Sequence, residues 1–228
     1  MSNTVRPLIY AHRGASVDHP ENTVPAFLGA HEQGSDWVEL DVHLTADGGL
    51  VIVHDPNYAD GRRVEEHPTA ARPATVPVLD EALEACSGMG VNIEIKVTRP
   101  DTEIAALVLG VVAARSAAGV AQEICISSFD EGTLDLVREL DPDMPTAQLV
   151  LDLSADQGIV ERAAAAGAVG INPWDPFVDR AFMERCGALG LAVNPWTVDD
   201  RDRIIELAAL GVDGIITNVP GLARSYLG

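Results

Sequence analysis

Residues 154–217, SADQGIVERAAAAGAVGINPWDPFVDRAFMERCGALGLAVNPWTVDDRDRIIELAALGVDGIIT, repeat one pattern three times: an amphipathic run, a glycine, then an apolar strand-forming run. The junctions are Ala166-Gly167-Ala168-Val169, Leu189-Gly190-Leu191-Ala192 and Leu210-Gly211-Val212-Asp213. At each of them helical periodicity gives way to a β-rich run, and the glycine stands where a left-handed residue closes a helix. Successive units of this kind build a parallel sheet, because each helix carries the chain back to the start of the next strand.

The same rhythm extends to the N-terminus. Strand-like runs at Leu8–Ala11, Trp37–Leu44, Val91–Ile95, Ile124–Ile126, Thr146–Val150, Val169–Ile171, Leu191–Val193 and Gly214–Thr217 alternate with helical stretches. Those stretches include Thr23–Gln33, Thr102–Ala118, Glu131–Leu140, Ser154–Ala166, Arg180–Leu189 and Arg201–Leu210, and Gly34, Gly90 and Gly119 close the earlier ones. Eight such runs in 228 residues predict an α/β fold, a (β/α)8 TIM barrel occupying residues 1–228 as one domain, with a doubly wound open sheet as the alternative. With 47% hydrophobic but only 4% aromatic residues, the core must be largely aliphatic.

One segment departs from the rhythm. Thr45-Ala46-Asp47-Gly48-Gly49 is a turn signal followed by the apolar Leu50–Val53, which predicts a hairpin after the second strand. With Asp47-Gly48 as a two-residue loop, Asp41 falls opposite His54 and both project to one face. Residues 56–77 are polar and rich in Pro, Arg and Ala, and read as a short irregular insertion over the barrel mouth, expected to be mobile or to set specificity.

Catalytic groups of such barrels come from the C-terminal ends of the strands. Polar residues gather there: His12-Arg13-Gly14, Glu39 and Asp41, Glu94 and Lys96, Ser127-Ser128-Phe129-Asp130, Asn172-Pro173-Trp174, Asn194-Pro195-Trp196 and Thr217-Asn218. Glu39 and Asp41 are two apart on a strand and share a face, as do Glu94 and Lys96. One such acid pair is commonly part of an ion-paired barrel core. Three carboxylates converging on one mouth repel one another unless a hard cation neutralises them, and all-oxygen ligands favour Mg²⁺ or Ca²⁺ over zinc.

His12 and His54 each end an apolar strand, where a packed histidine has no need to be, and imidazoles titrate near neutrality, which suits proton transfer. His19, His31, His43 and His67 lack that setting and read as structural or surface groups. Lys96 is the only lysine among 15 basic residues. Its survival in a chain that otherwise uses arginine implies a need for a compact ammonium in a confined place. Trp196 reads equally as a wall for the glycerol-like or alkyl part of a substrate and as barrel-top packing, and Glu21-Asn22-Thr23 first as a helix cap.

The formal net charge of -20 repels nucleic acid and anionic membrane, so an anionic substrate needs a local positive centre. Cys86, Cys125 and Cys186 are widely spaced, with no C-x-x-C pair, which argues against a disulfide framework or zinc site. No apolar signal precedes the first strand and no run is long enough to span a membrane, so the expectation is a cytoplasmic protein without stable membrane insertion.

With these residues in view, the chain resembles the glycerophosphodiester phosphodiesterase family. The matching stretches are Ala11-His12-Arg13-Gly14-Ala15, Pro20-Glu21-Asn22-Thr23, Val38-Glu39-Leu40-Asp41-Val42, Val53-His54-Asp55, Ile93-Glu94-Ile95-Lys96, Ser127-Ser128-Phe129, Trp196-Thr197-Val198 and Gly214-Ile215-Ile216-Thr217-Asn218-Val219-Pro220. The resemblance implies cation-dependent hydrolysis of a small glycerophosphodiester to glycerol 3-phosphate and an alcohol. It implies His12 and His54 as the acid/base pair, Glu39, Asp41 and Glu94 as ligands of Mg²⁺ or Ca²⁺, and Arg13 and Lys96 as phosphate contacts. Which histidine is acid and which base stays open, as does the oligomeric state. The segment after His54-Asp55 lacks the longer Arg-Thr-Thr-like, Gly-rich stretch of that family, which bears on substrate choice. Two rival functions are a phosphoryl-transfer lyase of the phospholipase D toxin or phospholipase C kind, marked by a cyclic phosphate product, and a non-catalytic barrel that binds a phosphate ester.

Overall fold

The computed structural model describes residues 6–97 and 103–228. Eight parallel strands alternate with helices: β1 (Leu8–His12), α1 (Val24–Glu32), β2 (Trp37–Leu44), α2 (Leu79–Ala85), β4 (Gly90–Ile95), α3 (Glu103–Ala117), β5 (Ile124–Ser128), α4 (Glu131–Leu140) and β6 (Thr146–Val150). They continue with α5 (Ile159–Ala165), β7 (Gly170–Pro173), α6 (Arg180–Ala188), β8 (Ala192–Val193), α7 (Arg201–Leu210), β9 (Gly214–Thr217) and α8 (Pro220–Leu227). A short strand, β3 (Leu50–Ile52), pairs antiparallel with β2 outside the ring. The ring runs β8-β7-β6-β5-β4-β2-β1-β9. Its last seam is drawn together by backbone bonds from Asp213 N to Val193 O (3.0 Å) and from Ile216 N to Pro195 O (3.0 Å), so the sheet is a nearly closed (β/α)8 barrel.

Strand alternation divides the side chains. Val38, Leu40 and Val42 point outward with Ile93 and Ile95 and pack against Phe27, Leu83 and Val108 of the surrounding helices. Ile171, Val193 and Ile215 do the same against Val160, Phe182, Ile204 and Leu207. Trp37, Glu39 and Asp41 therefore face the barrel axis. At the N-terminal end of the ring Tyr10 stacks on Trp37 with ring centroids 5.3 Å apart. Glycines make room for the two rings: a Cβ at Gly90 would come within 2.3 Å of the Trp37 indole, and one at Gly214 within 2.5 Å of Tyr10. The two rings line a cavity of about 730 Å³ at that end, and the ionisable layer lies above them.

Several sequence expectations need correction. The hairpin pairs Val42 with Ile52 and Leu44 with Leu50, so Asp41 stands opposite Val53 and not His54. The loop has three residues between Thr45 and Gly49, with Gly48 at φ +84°, and that extra residue slips the register by one. Gly34, Gly119, Gly167, Gly190 and Gly211 are left-handed as expected, but Gly90 lies inside β4 and Gly88, at φ +86°, takes the turn instead. The helix expected from Ser154 begins only at Ile159, because Asp152 Oδ1 accepts from the backbone of Ser154 and Ala155 and holds a turn there. Helix α2 is the helical stretch expected ahead of Gly90, and α8 is an addition. Thr102 and the N-terminal Met1–Val5 lie outside the described residues.

The insertion is irregular but packed. Two 3-10 turns, Val64–Glu66 and Thr69–Ala71, interrupt it. Tyr58 and Val64 form a small cluster with Val51, and Thr69 N and Oγ1 both donate to Asp47 at the hairpin turn (2.8 and 2.7 Å). Among the described residues no helix is long and apolar enough to cross a membrane.

Candidate active site

Backbone register assembles the site. In the β1–β2 pairing His12 is level with Glu39, and in the β2–β4 pairing Asp41 is level with Glu94. Four inward side chains from three adjacent strands thus form one patch at the C-terminal end of the barrel. Carboxylate oxygens of Glu39, Asp41 and Glu94 lie within 4.8 Å of one another, and all three residues are buried. His12 Nε2 is 3.9 Å from Glu39 Oε2.

Two cations answer these carboxylates. Lys96 Nζ lies 2.6 Å from Glu94 Oε1 and 3.0 Å from Asp41 Oδ1. Arg13 Nε lies 3.2 Å from Asp41 Oδ2, while its NH1 donates to both oxygens of Glu21 (3.0 and 3.1 Å). Burial drives the Glu39 carboxyl well above the usual range, and the neighbouring Asp41 and Glu94 add to it. Glu94 is pushed up to about 7 by burial and by Asp41, against the pull of Lys96. For Asp41 burial acts upward too, but Lys96, Arg13 and the Asn22 hydrogen bond outweigh it and hold it below the ordinary value. Buried carboxyls pushed apart in this way are a common mark of a functional site.

Neither histidine is loose. His12 Nδ1 is 2.8 Å from Asn218 Oδ1, and burial followed by the adjacent Arg13 lowers its pKa. His54 lies beyond the end of β3, with Nδ1 2.8 Å from Asp55 Oδ1. It lines a cavity of about 660 Å³ together with Glu94, Lys96, Arg63 and Phe129, so it reaches the same mouth despite the shifted hairpin. The buried His43, expected to be merely structural, donates from Nε2 to the His54 carbonyl (3.1 Å) and straps that segment down. Trp196 stands at the rim, its Nε1 donating to the Asn172 carbonyl (2.8 Å) and its ring edge-on to Phe129 at 5.7 Å.

Of three further polar residues of the site, the sequence reading passed over Asp199 and gave Asn22 and Asn218 no specific partner. Asn22, in the left-handed region at φ 58°, donates to Asp41 Oδ2 (2.7 Å) and accepts from the Asp41 backbone (3.3 Å), so it serves the carboxylate cluster while Thr23 caps the helix. Asn218 and Asp199 form a relay behind His12: the Asn218 amide donates to Asp199 Oδ2 (2.7 Å), and its backbone N donates to Asp199 Oδ1 (2.8 Å). A left-handed residue after His-Arg-Gly and an amide level with the first histidine could only be found with the closed barrel in hand.

Glu39, Asp41 and Glu94 fit a hard divalent ion. Glu39 Oε1 is buried without a hydrogen-bond partner, a costly state for a carboxylate oxygen that a cation would relieve.

A sequence model of the Glycerophosphoryl diester phosphodiesterase family matches residues 12–222. The chain is 31% identical to a glycerophosphodiester phosphodiesterase of Caldanaerobacter subterraneus subsp. tengcongensis, over 95% of this chain and 96% of that one. It is 30% identical to a glycerophosphodiester phosphodiesterase of Bacillus subtilis, over 95% and 85%. Among solved structures, it is similar to an Oleispira antarctica phosphodiesterase in complex with the product sn-glycerol-3-phosphate, with a TM-score of 0.87, 28% identity, and 97% and 96% of the two chains covered.

Proposed function

The chain belongs to the glycerophosphoryl diester phosphodiesterase family, and from that premise we propose that it hydrolyses small glycerophosphodiesters to glycerol 3-phosphate and an alcohol, with a divalent cation and two histidines. The observation that carries this reading is the buried triplet Glu39, Asp41 and Glu94 flanked by His12 and Lys96, at a mouth that His54 also lines.

Charge supports the cation. With all three carboxylates ionised, as holding a cation requires, Lys96 and Arg13 leave one formal negative charge where a phosphodiester anion has to bind, and a dication inverts that sign. Glu39, Asp41 and Glu94 would hold the ion, and Mg²⁺ or Ca²⁺ suits their oxygens. When bound, such an ion polarises phosphoryl oxygens and steadies the charge that builds on them. Arg13 and Lys96 supply the remaining positive contacts to phosphate.

The two histidines take opposite roles. Asn218 offers its carbonyl oxygen to His12, so Nδ1 carries the hydrogen and Nε2 presents a lone pair towards Glu39 and the mouth. That tautomer suits proton removal from the attacking hydroxyl or water. His54, its ring held through Nδ1 by Asp55 Oδ1, is the group that hands a proton to the leaving alkoxide. Net, water adds across the P–O bond to the alcohol, its oxygen going to phosphorus and one proton to the alcohol.

A coupled assay for glycerol 3-phosphate release from glycerophosphocholine, glycerophosphoethanolamine and glycerophosphoglycerol, with and without EDTA, tests the reading. Release that stops in EDTA and returns with Mg²⁺ or Ca²⁺ is expected. A cyclic phosphate as final product overturns hydrolysis, and undiminished turnover in EDTA overturns the cation.

A further inference from the structure

The N-terminal end of the barrel is built in two unlike halves. Tyr10 and Trp37, from β1 and β2, set their stacked rings on one side of the axis. On the other side Ala147, Gly170 and Ala192 stand level with one another on β6, β7 and β8. They continue the row that holds Asp41, Glu94 and Ser127, so they face the axis too. A barrel of this kind ordinarily fills its inner layers with bulky branched side chains. Here three neighbouring strands contribute two methyl groups and a hydrogen, and the space they leave belongs to the cavity of about 730 Å³ that the two rings line. A space of that size suits a small organic molecule. Val112 and Met144 extend its apolar wall, and the exposed Leu8, Val120 and Val169 stand around its opening.

The polar residues of the cavity set the charge of that molecule. Glu123 and Asp213 line it, and among the described residues neither has an arginine or lysine within ion-pair distance. Asp213 Oδ2 accepts only from the Val193 backbone (2.8 Å). Arg115 lines the cavity as well, but its NH1 and NH2 are answered by Asp80 (2.8 Å) and Glu84 (2.9 Å). The balance at the opening is therefore negative. The Tyr10 hydroxyl registers it: burial first, then Cys125, Asp213, Glu123 and Asp36, keep its proton in place.

We infer that this cavity is a second ligand site, at the opposite end of the barrel from the carboxylate cluster, for a small amphipathic organic cation. The apolar body of the ligand lies against Trp37 and over Ala147, Gly170 and Ala192, and its ammonium stands at the rim beside Glu123 and Asp213. Contact of the ammonium with an aromatic face adds to the attraction. The inference does not depend on the reaction at the other end.

Calorimetric titration of the whole protein in Mg²⁺, with and without excess sn-glycerol 3-phosphate, compares three probes that share one phenyl group. These are phenethyltrimethylammonium, its neutral tertiary-alcohol isostere and the anion phenylbutyrate. The cation is expected to bind about fivefold or more tighter than the isostere, with phenylbutyrate the weakest of the three. Glu123→Gln and Asp213→Asn should each weaken the cation about two- to fivefold, the scale of an exposed charge pair, and leave the isostere unchanged. Ala192→Leu, which fills the floor of the cavity, should weaken cation and isostere alike by about tenfold or more, since the covered apolar area is lost. Glycerophosphocholine turnover within about twofold of the parent reports that each variant is folded, and the two charge substitutions keep the test standing if Ala192→Leu does not fold. Affinity for the cation no greater than for the isostere overturns the inference, as does affinity indifferent to both charge substitutions or to a folded Ala192→Leu. Phenylbutyrate as the tightest probe overturns the sign and points to Arg115, whose Nε is buried without a partner. Displacement of the cation by sn-glycerol 3-phosphate puts the probe at the other end of the barrel and overturns the second site.

Discussion

His12 and Asn218 are 206 residues apart in the chain and 2.8 Å apart in space, with imidazole Nδ1 facing amide Oδ1. Asp199 decides which way the amide lies, since a carboxylate only accepts and the Asn218 Nδ2 must turn to it. The β9 end and the loop after β8 therefore fix the tautomer of a histidine on β1, across the last seam of the barrel. Replacing Asn218 with Ala removes the acceptor and frees the ring. The expected outcome is a fall of about a hundredfold in kcat with little change in KM, because the loss is of proton transfer and not of binding. Steady-state kinetics on glycerophosphocholine measure it, and ¹⁵N chemical shifts of His12 should report Nδ1–H in the parent and a mixed tautomer in the variant. A kcat within twofold of the parent would count against the relay.

A second prediction concerns pH and the cation. Glu39 is raised well above the usual carboxylate range and Glu94 to about 7, so both hold protons in the cation-free fold at pH values where the unfolded chain has released them. Stability from a raised carboxyl is fully present below its unfolded pKa and is lost as pH climbs through the folded value. The cation-free Tm should therefore fall between about pH 5 and 8. Cation binding displaces those protons, so the rise in Tm on adding Mg²⁺ or Ca²⁺ should be larger at pH 8 than at pH 5.5. Thermal melts across that range, with Glu94→Gln as the control expected to flatten both trends, test the sign.

Lys96 yields a third. Its ammonium lies within 3.0 Å of both Asp41 and Glu94 and is mostly buried, so Lys96→Met leaves those acids facing each other with Arg13 as their nearest remaining cation. Without added metal the variant should lose about 3 kcal/mol in urea unfolding at pH 8, the usual scale for removing one member of a buried pair. Divalent cation should recover part of that loss. Lys96→Arg should keep stability better but not activity, since a planar fork does not replace a compact ammonium between two oxygens. Equal stability of Lys96→Met and the parent in EDTA would refute the argument.

What the sequence made legible follows from range. The strand ends that carry Glu39, Asp41, Glu94 and Lys96 could be read because alternation and local polarity are properties of five or six consecutive residues. The hairpin register could not, because a three-residue loop with left-handed Gly48 and a two-residue loop use the same Asp-Gly letters. His54 came to the expected mouth by way of the chain after β3 and the His43 strap, not by the cross-strand pairing anticipated for it. Asp199 gave no local signal, and Asn22 and Asn218 could be placed at a helix entry and a strand end but not given partners: each is one polar residue in a loop, and its meaning lies in a side chain from another strand or loop.

The N-terminal end of the barrel supplies the last prediction. Gly90 lies in β4 at the N-terminal mouth, where a Cβ would come within 2.3 Å of the Trp37 ring, itself stacked on Tyr10. The added methyl can be accommodated only by moving the indole off that stack towards the cavity it lines, so Gly90→Ala should destabilise the fold by about 2 kcal/mol, as overpacking does. Gly110 is the counterpart. It sits in the interior of α3 with open space around it, so Gly110→Ala should stabilise by about 0.5–1 kcal/mol through helix propensity alone. Urea unfolding of the two variants measures both signs in one experiment. Because Trp37 is two residues below Glu39 on the same face of β2, Gly90→Ala should also lower cation affinity, measured by calorimetric titration, whereas Gly110→Ala should leave it unchanged. Stability unaltered by Gly90→Ala would mean that the aromatic layer yields more readily than its packing implies.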